Sequence, residues 1–300
     1  MKIINVALIG HGYWGSKLRR YVDESIGFDL RYICDSKSDL NQVWDDRSID
    51  AVIVATPNEV RPSIVKEALY AGKNVLSEKP LAFTVEECEE LKRDAERRGL
   101  LILVDYTWTF SKGLGSVRSM VSRGQIGNIL GIEMSVKHLG RFGGGSVYWL
   151  LGSHMLSVLD MFVSIEDLSF SKTDLVTFDG NVETGIISFT KGLMSGQIVV
   201  SLNYTGKETK VVLYGEDGTI IYNPTVPFMS PTLILQTYKR LGWTLAPKLL
   251  VDRKECFFNE DDNLYYVIDY FYDMLVGKAD SNINRAIAVT KVLEELRGRS

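Results

Sequence analysis

Short runs rich in Val, Ile and Leu, each closed by Gly, Asp or Pro, recur through the first 105 residues with helical-period segments between them. "IINVALIG" (3–10), "DLRYICD" (29–35), "DAVIVATP" (50–57), "KNVLSEKP" (73–80) and "LLILVDY" (100–106) have the content and terminators of strands. Between them "SIVKEALYAG" stops at Gly72, and "TVEECEELKRDAERRG" opens with Thr84 three residues before Glu87, a capping box, and ends at Gly99. Alternation at this spacing predicts parallel strands joined by right-handed crossovers. The expected domain is a doubly wound α/β sheet over residues 1–121.

After a linking helix near "GLGSVRSMVSRG" the texture changes. "ILGIEMSVKHL", "TGIISFTKG", "MSGQIVVSLNY", "KETKVVLYG" and "GTIIYN" read as strands separated by turns such as Lys191-Gly192 and Asp217-Gly218. Residues 122–300 therefore predict an α/β domain with a large, mainly antiparallel sheet, one face of which needs a cover of helices or a second subunit. Two helices are expected to close the chain. The first would be capped by Asp262, with Leu264, Val267, Ile268, Phe271 and Leu275 on one face, and the second striped by Ala286, Val289, Leu293 and Leu296. The stretch 224–251 shows little strand pattern and reads as an arm on a neighbouring subunit or domain, or as a loop covering a substrate.

Composition narrows the class. With 300 residues, 45% hydrophobic and 24% charged, the chain can bury a sizeable core. A formal charge of −4 with scattered Lys and Arg gives no reason to expect a nucleic-acid or anionic-membrane partner. Cys34, Cys88 and Cys256 have no disulfide or zinc spacing, so no metal is expected. The N-terminus lacks a signal-peptide layout, and the longest apolar stretch, 148–163, is broken by Ser153, His154 and Asp160. A cytoplasmic location is the expectation.

"GHGYWG" places Gly10, Gly12 and Gly15 in G-x-G-x-x-G spacing directly after a strand and at the start of a helix. The first glycine serves a tight turn, the second lets backbone approach a pyrophosphate, and the third lets helix pack on strand. Asp35 ends the second strand 20 residues after Gly15, where a carboxylate accepts hydrogen bonds from an adenosine ribose and repels a 2′-phosphate. NAD is thus expected over NADP, with Lys37 the residue that could reverse the preference by reaching a phosphate. "SEKP" puts Lys79 on the carboxyl edge of the sheet, either as a solvated charge or as a proton donor whose pKa desolvation lowers. Position alone does not choose between them. His154 stands in an apolar run, where a lone histidine is usually a satisfied core residue.

"ALIGHGYWG", "DAVIVATPN", "NVLSEKPLAFTVEECEEL", "RGQIGNILGIEMSV" and "VVLYGEDGTIIYN" together resemble the Gfo/Idh/MocA family of oxidoreductases, along nearly the whole chain. The resemblance implies an N-terminal Rossmann domain and a C-terminal α/β domain whose open sheet often serves oligomerisation, here a homodimer or homotetramer. It also implies nicotinamide-dependent oxidation or reduction of a carbinol or carbonyl on a sugar, cyclitol or sugar nucleotide. On the family pattern Lys79 contacts the reacting hydroxyl and Glu78 lies by the cofactor. Ala55, Thr56 and Asn58 line the adenine and ribose path, and Tyr13, Trp14 and Ser36 join the cofactor contacts. Tyr106, Tyr148, Trp149 and His154 are the expected substrate contacts beside Lys79.

"SVYWLLGSHMLSVL" is similar to the segment W-D-L-x-P-H-D of members acting on nucleotide-linked uronic acids and amino sugars. Trp149 and His154 match it. The Asp of the family's D-x-x-x-H pair falls at 150, which is Leu, and the carboxylate after the histidine is replaced by Met155. Arg61 stands where many relatives have histidine. Lys79 and His154 would then handle the proton alone, or with Tyr148, Tyr106 or Asp160, although Asp160, six residues past His154, is poorly placed for it. Three functions follow as expectations: a dehydrogenase using Lys79 and His154, a dinucleotide-binding sensor or regulatory subunit without catalysis, or a reductase of a non-sugar substrate.

Overall fold

A computed structural model describes residues 2–140, 145–227, 229–240, 248–258 and 263–297. The expected Asp262 cap lies outside the described residues, as do parts of the 138–150 and 224–251 stretches. The chain forms two compact units, Met1–Thr107 with Asp262–Glu294 and Trp108–Asp261 with Glu295–Ser300.

The first unit contains β1 (Ile4–Ile9), α1 (Tyr13–Glu24), β2 (Phe28–Cys34), α2 (Asn41–Trp44), β3 (Ala51–Val54), α3 (Arg61–Tyr70), β4 (Asn74–Glu78), α4 (Val85–Arg98) and β5 (Ile102–Asp105). Its strands run parallel in the order β2-β1-β3-β4-β5. Val6, Leu8, the whole of β3, Val75, Leu76 and Leu103 are buried, because a parallel sheet is covered on both faces. α4 has the predicted cap: the Thr84 hydroxyl accepts from the Glu87 N–H at 3.3 Å. Glu86 and Glu87 open that helix and Arg97 and Arg98 close it, in the sense its dipole favours, before Gly99 at φ 64°.

The second unit contains α5 (Lys112–Ser122), β6 (Ile129–Leu139), a π-helical turn (Tyr148–Gly152), α6 (Ser153–Leu159) and β7 (Ser169–Phe178). β8 (Asn181–Lys191), β9 (Met194–Ser201), β10 (Asn203–Gly215), β11 (Gly218–Tyr222), β12 (Leu233–Arg240) and β13 (Lys248–Cys256) follow. The eight-stranded sheet has the order β13-β12-β11-β10-β6-β9-β8-β7, antiparallel except for β6 beside β9. Ile132, Met134, Ile198, Val200, Val211 and Leu213 are buried in it, and Leu114, Val117, Met155 and Leu159 of α5 and α6 are buried with them.

On the open sheet face, Glu133, Ser135, Lys137, Gln197, Glu208 and Lys210 line a shallow groove together with Met134, Val199 and Val212, with Lys137 and Glu208 paired at 2.9 Å. Two expectations change. Within 224–251, residues 233–240 and 248–256 build the β12–β13 hairpin at the sheet edge, where the sequence shows little strand pattern. β13 is exposed along nearly its full length, so no alternation of apolar residues marks it. Finally, α5 packs in the second unit, whereas α7 (Asn263–Leu275) and most of α8 (Ile283–Arg297) return to the first, so the division differs from one at 121/122.

The return of α7 has a packing reason. Phe271 stacks on Phe28 with centroids 5.9 Å apart, and Tyr272 meets the same ring edge-on at 5.8 Å. Gly27 has no room for a side chain, since a Cβ would sit 2.6 Å from the Tyr272 ring. Phe271→Ala should therefore cost about 3–5 kcal/mol, measured by urea denaturation with the dinucleotide absent.

Candidate functional site

The glycine-rich turn follows β1. Gly10 has φ 94°, which glycine takes without strain, and a Cβ there would lie 2.6 Å from the Ala55 carbonyl oxygen. Gly15 is pressed against the Gly10 carbonyl. Gly12 differs, because nothing lies within 4 Å of its missing side chain; its bareness opens the surface to a ligand. α1 starts at this glycine without a side-chain cap or an acidic residue in its first turn. The positive end of the helix dipole is left for an anion. Tyr13 and Trp14 stand exposed on that turn, edge to face at 5.2 Å, with the Lys17 ammonium over both rings.

Asp35 follows β2. Its Oδ1 accepts the Lys37 N–H at 2.9 Å and the Ser38 hydroxyl at 3.0 Å, and these bonds, the backbone one foremost, hold the carboxyl below its usual range. Both bonds fall on one oxygen, so Oδ2 remains for a ribose diol. Ser36 is exposed in the same turn, and Asn58 is half-buried beyond β3. Thr56 is buried, and its hydroxyl has no hydrogen-bond partner among the described residues. An uncapped helix, an open glycine, an orphaned hydroxyl and a free carboxylate oxygen fit a nicotinamide dinucleotide.

At the end of β4 the chain places Glu78 and Lys79 before a cis bond to Pro80. Glu78 is 9% exposed and its carboxyl accepts the Lys79 N–H at 3.2 Å. Asp105 closes β5 directly opposite Glu78 and is 1% exposed. Arg61, 4% exposed, donates to the Thr56 carbonyl at 2.6 Å and the Pro80 carbonyl at 2.7 Å, tying the loop after β3 to the turn after β4. Burial shifts all four groups toward their neutral forms. It lowers Arg61 to about 10 and Lys79 to about 8, the latter against the attraction of Glu78. Burial also raises Glu78, opposed by Arg61 and Lys79, and raises Asp105 well above the carboxylate range, with Glu78 adding to the rise.

In the second unit, His154 lies in the first turn of α6, half-buried, with its ring stacked on Trp108 at 5.3 Å and 21°. Trp149 and Leu150 are half-buried in the π-helical turn before it. Two expected substrate contacts are corrected. Tyr148 donates to the Thr173 carbonyl at 3.1 Å and to Asp174 Oδ1 at 2.6 Å, over the bare backbone of Gly185, and burial with that carboxylate pushes its phenol up. It anchors the π-helical turn to the sheet. Tyr106 is fully buried with Cys88 close by, and burial raises its phenol, so it belongs to the core. Asp160 accepts the Ile165 N–H at 3.4 Å, a loop-closing bond.

Arg61 and Asp105 are the residues that the sequence reading leaves without a role. The available signal was an acid closing each of two successive strands, Glu78 and Asp105, which parallel pairing in register brings side by side.

Residues 31–106 match the family model described as "Oxidoreductase family, NAD-binding Rossmann fold". Over that segment the chain is similar to the Gfo/Idh/MocA oxidoreductase family. Among its curated relatives, a 2,7-anhydro-N-acetylneuraminate hydratase of Mediterraneibacter gnavus is 29% identical over 43% of this chain and 38% of its own. The scyllo-inositol 2-dehydrogenase (NADP(+)) IolW of Bacillus subtilis is 31% identical over 32% of this chain and 27% of its own. The matched region thus spans about two fifths or less of these relatives' length. An oxidoreductase from Agrobacterium radiobacter, solved in complex with NAD+, L-tartaric acid and magnesium, has TM-score 0.80 over 99% of this chain and 96% of its own. At 14% identity that is a likeness of fold.

Among the described residues the chain carries no group of three or more His, Cys, Asp or Glu side chains suited to a metal, and no helix long and apolar enough to cross a membrane. Because hydrogen bonds to a charged group are worth about 1.5–3 kcal/mol, Asp35→Ala should weaken NAD+ binding by roughly 10- to 100-fold. Isothermal titration with NAD+ and NADP+ checks this, and NADP+ binding should weaken less.

Proposed function

We propose that this chain is a nicotinamide-dependent oxidoreductase, with NAD(H) preferred, acting on a secondary alcohol or carbonyl of a sugar, cyclitol or sugar nucleotide. The observation that carries the reading is Lys79, lowered to about 8 at the carboxyl edge of a sheet whose glycine turn fits the dinucleotide. A general acid–base group works best with its pKa near the working pH. Bound there, the nicotinamide supplies a hydride acceptor or donor. Lys79 takes the proton from the substrate hydroxyl in oxidation and returns it to the carbonyl oxygen in reduction. His154, its ring steadied against Trp108, is the second proton-handling residue. The sugar and cyclitol names among the family relatives support the substrate class.

The sign of the pH dependence follows from Lys79. Its folded pKa lies below the ordinary 10.5, so the neutral amine that oxidation requires is populated as pH rises through about 8. Oxidation should rise through that range and the reverse reduction should fall. Stopped-flow or steady-state NADH absorbance over a panel of sugars, cyclitols and nucleotide sugars measures both. Loss of an acid–base group typically costs about 10²- to 10⁴-fold, so Lys79→Ala should lower kcat by that order while leaving NAD+ affinity within a few-fold. Tight NAD+ binding with no turnover of any panel member would instead support the reading as a non-catalytic sensor, which Leu150 favours.

A further inference from the structure

The family arrangement places a carboxylate in the acid–base machinery, and position 150 no longer supplies it. A different carboxyl group has the properties of a proton carrier. Asp105 ends β5 in direct register with Glu78, the residue before Lys79. Its Oδ1 accepts the Thr107 hydroxyl at 2.7 Å, and its Oδ2, buried, has no hydrogen-bond partner among the described residues. A buried carboxylate oxygen without a donor is costly, whereas a protonated one needs only an acceptor. Two carboxyls on adjacent strands also disfavour double ionisation. Arg61 and the Lys79 N–H both favour the charged form of Glu78, which leaves the proton on Asp105.

We propose that Asp105 is a positioning residue acting through Lys79: its carboxyl group exchanges a proton with the Lys79 amine and takes the part that an acid at position 150 would play. In reduction, hydride adds to the carbonyl carbon, the C=O becomes C–OH with a proton from the Lys79 ammonium, and Asp105 then protonates the amine and is left as a carboxylate. In oxidation the order reverses: the Lys79 ammonium first discharges its proton to the Asp105 carboxylate, and the freed amine then takes the hydroxyl proton as hydride leaves the carbinol carbon. The proposal rests on the dehydrogenase reading above. The charged and titratable groups acting on Asp105 are Glu78 and Lys79 from β4 and its turn; Arg61 from α3 acts on those two, and next to Asp105 stands Tyr106, whose phenol senses Cys88 of α4 and Arg285 of α8.

Carbon-13 NMR of the wild-type protein with labelled aspartate carboxyls, compared with Lys79→Met, tests the pair without any substrate. Asp105 should keep its proton well above the ordinary aspartate range and show a second inflection where Lys79 titrates. In Lys79→Met that inflection should vanish and the Asp105 midpoint should move up, because the ammonium favours the carboxylate. Kinetics give the second arm: Asp105→Asn should lower kcat by about 10²-fold with KM little changed and remove one ionisation from the pH profile, and Asp105→Glu should restore part of both. Titration of Asp105 in the ordinary range, or a wild-type pH profile in Asp105→Asn, overturns the proposal. A coupled NMR titration without turnover of any sugar or cyclitol upholds the pair and contradicts the dehydrogenase reading instead.

Discussion

Arg61, Glu78, Lys79 and Asp105 come largely out of water together at the carboxyl ends of β4 and β5, and their mutual compensation is the constraint on which the site depends. Isolated, any one of these charges would be costly to bury. As a set they hold one another: Arg61 against Glu78, Glu78 against Lys79, and Asp105 by taking up a proton. Arg61 also binds two carbonyls of the loops that flank the cluster, so its charge and its geometry serve the same turn. The lysine that emerges has a pKa within reach of neutrality, which a solvated surface lysine does not have.

Dinucleotide recognition needs no such compensation, because backbone supplies most of it. Gly10 and Gly15 are required by close approach of main chain to main chain, while Gly12 leaves open the place where an anion meets the start of α1. Asp35 already spends one oxygen on its own turn, which leaves the other open. In the second unit the same economy appears at Tyr148. Its phenol is committed to Thr173 and Asp174, so it orients the turn that carries Trp149 and Leu150 into α6 instead of handling protons.

The first unit was legible in the sequence because each of its signals is local. Buried parallel strands are apolar on both faces, Thr84 and Glu87 lie one turn apart, and the glycine spacing is a property of a single loop. The strands β6 and β8 to β11 were legible from their alternation or terminators. β7 and β13 were not, since edge strands exposed on most positions have no face to mark. The homes of α7 and α8 were also hidden, because a helix stripe shows that a face is buried without showing what buries it. Glu78 beside Asp105 required strand register, and Arg61 beside Thr56 and Pro80 required the path of two loops. Leu150 was legible as a departure, yet the carboxyl that compensates for it lies 45 residues away in sequence, on β5.

The account stands most directly on the charge state of Lys79. Reductive methylation with carbon-13 formaldehyde, followed by NMR titration of the protein and assignment by Lys79→Arg, reads that lysine alone. The account predicts a midpoint near the value of about 8 that burial imposes. A midpoint at the ordinary lysine value of 10.5 would contradict it.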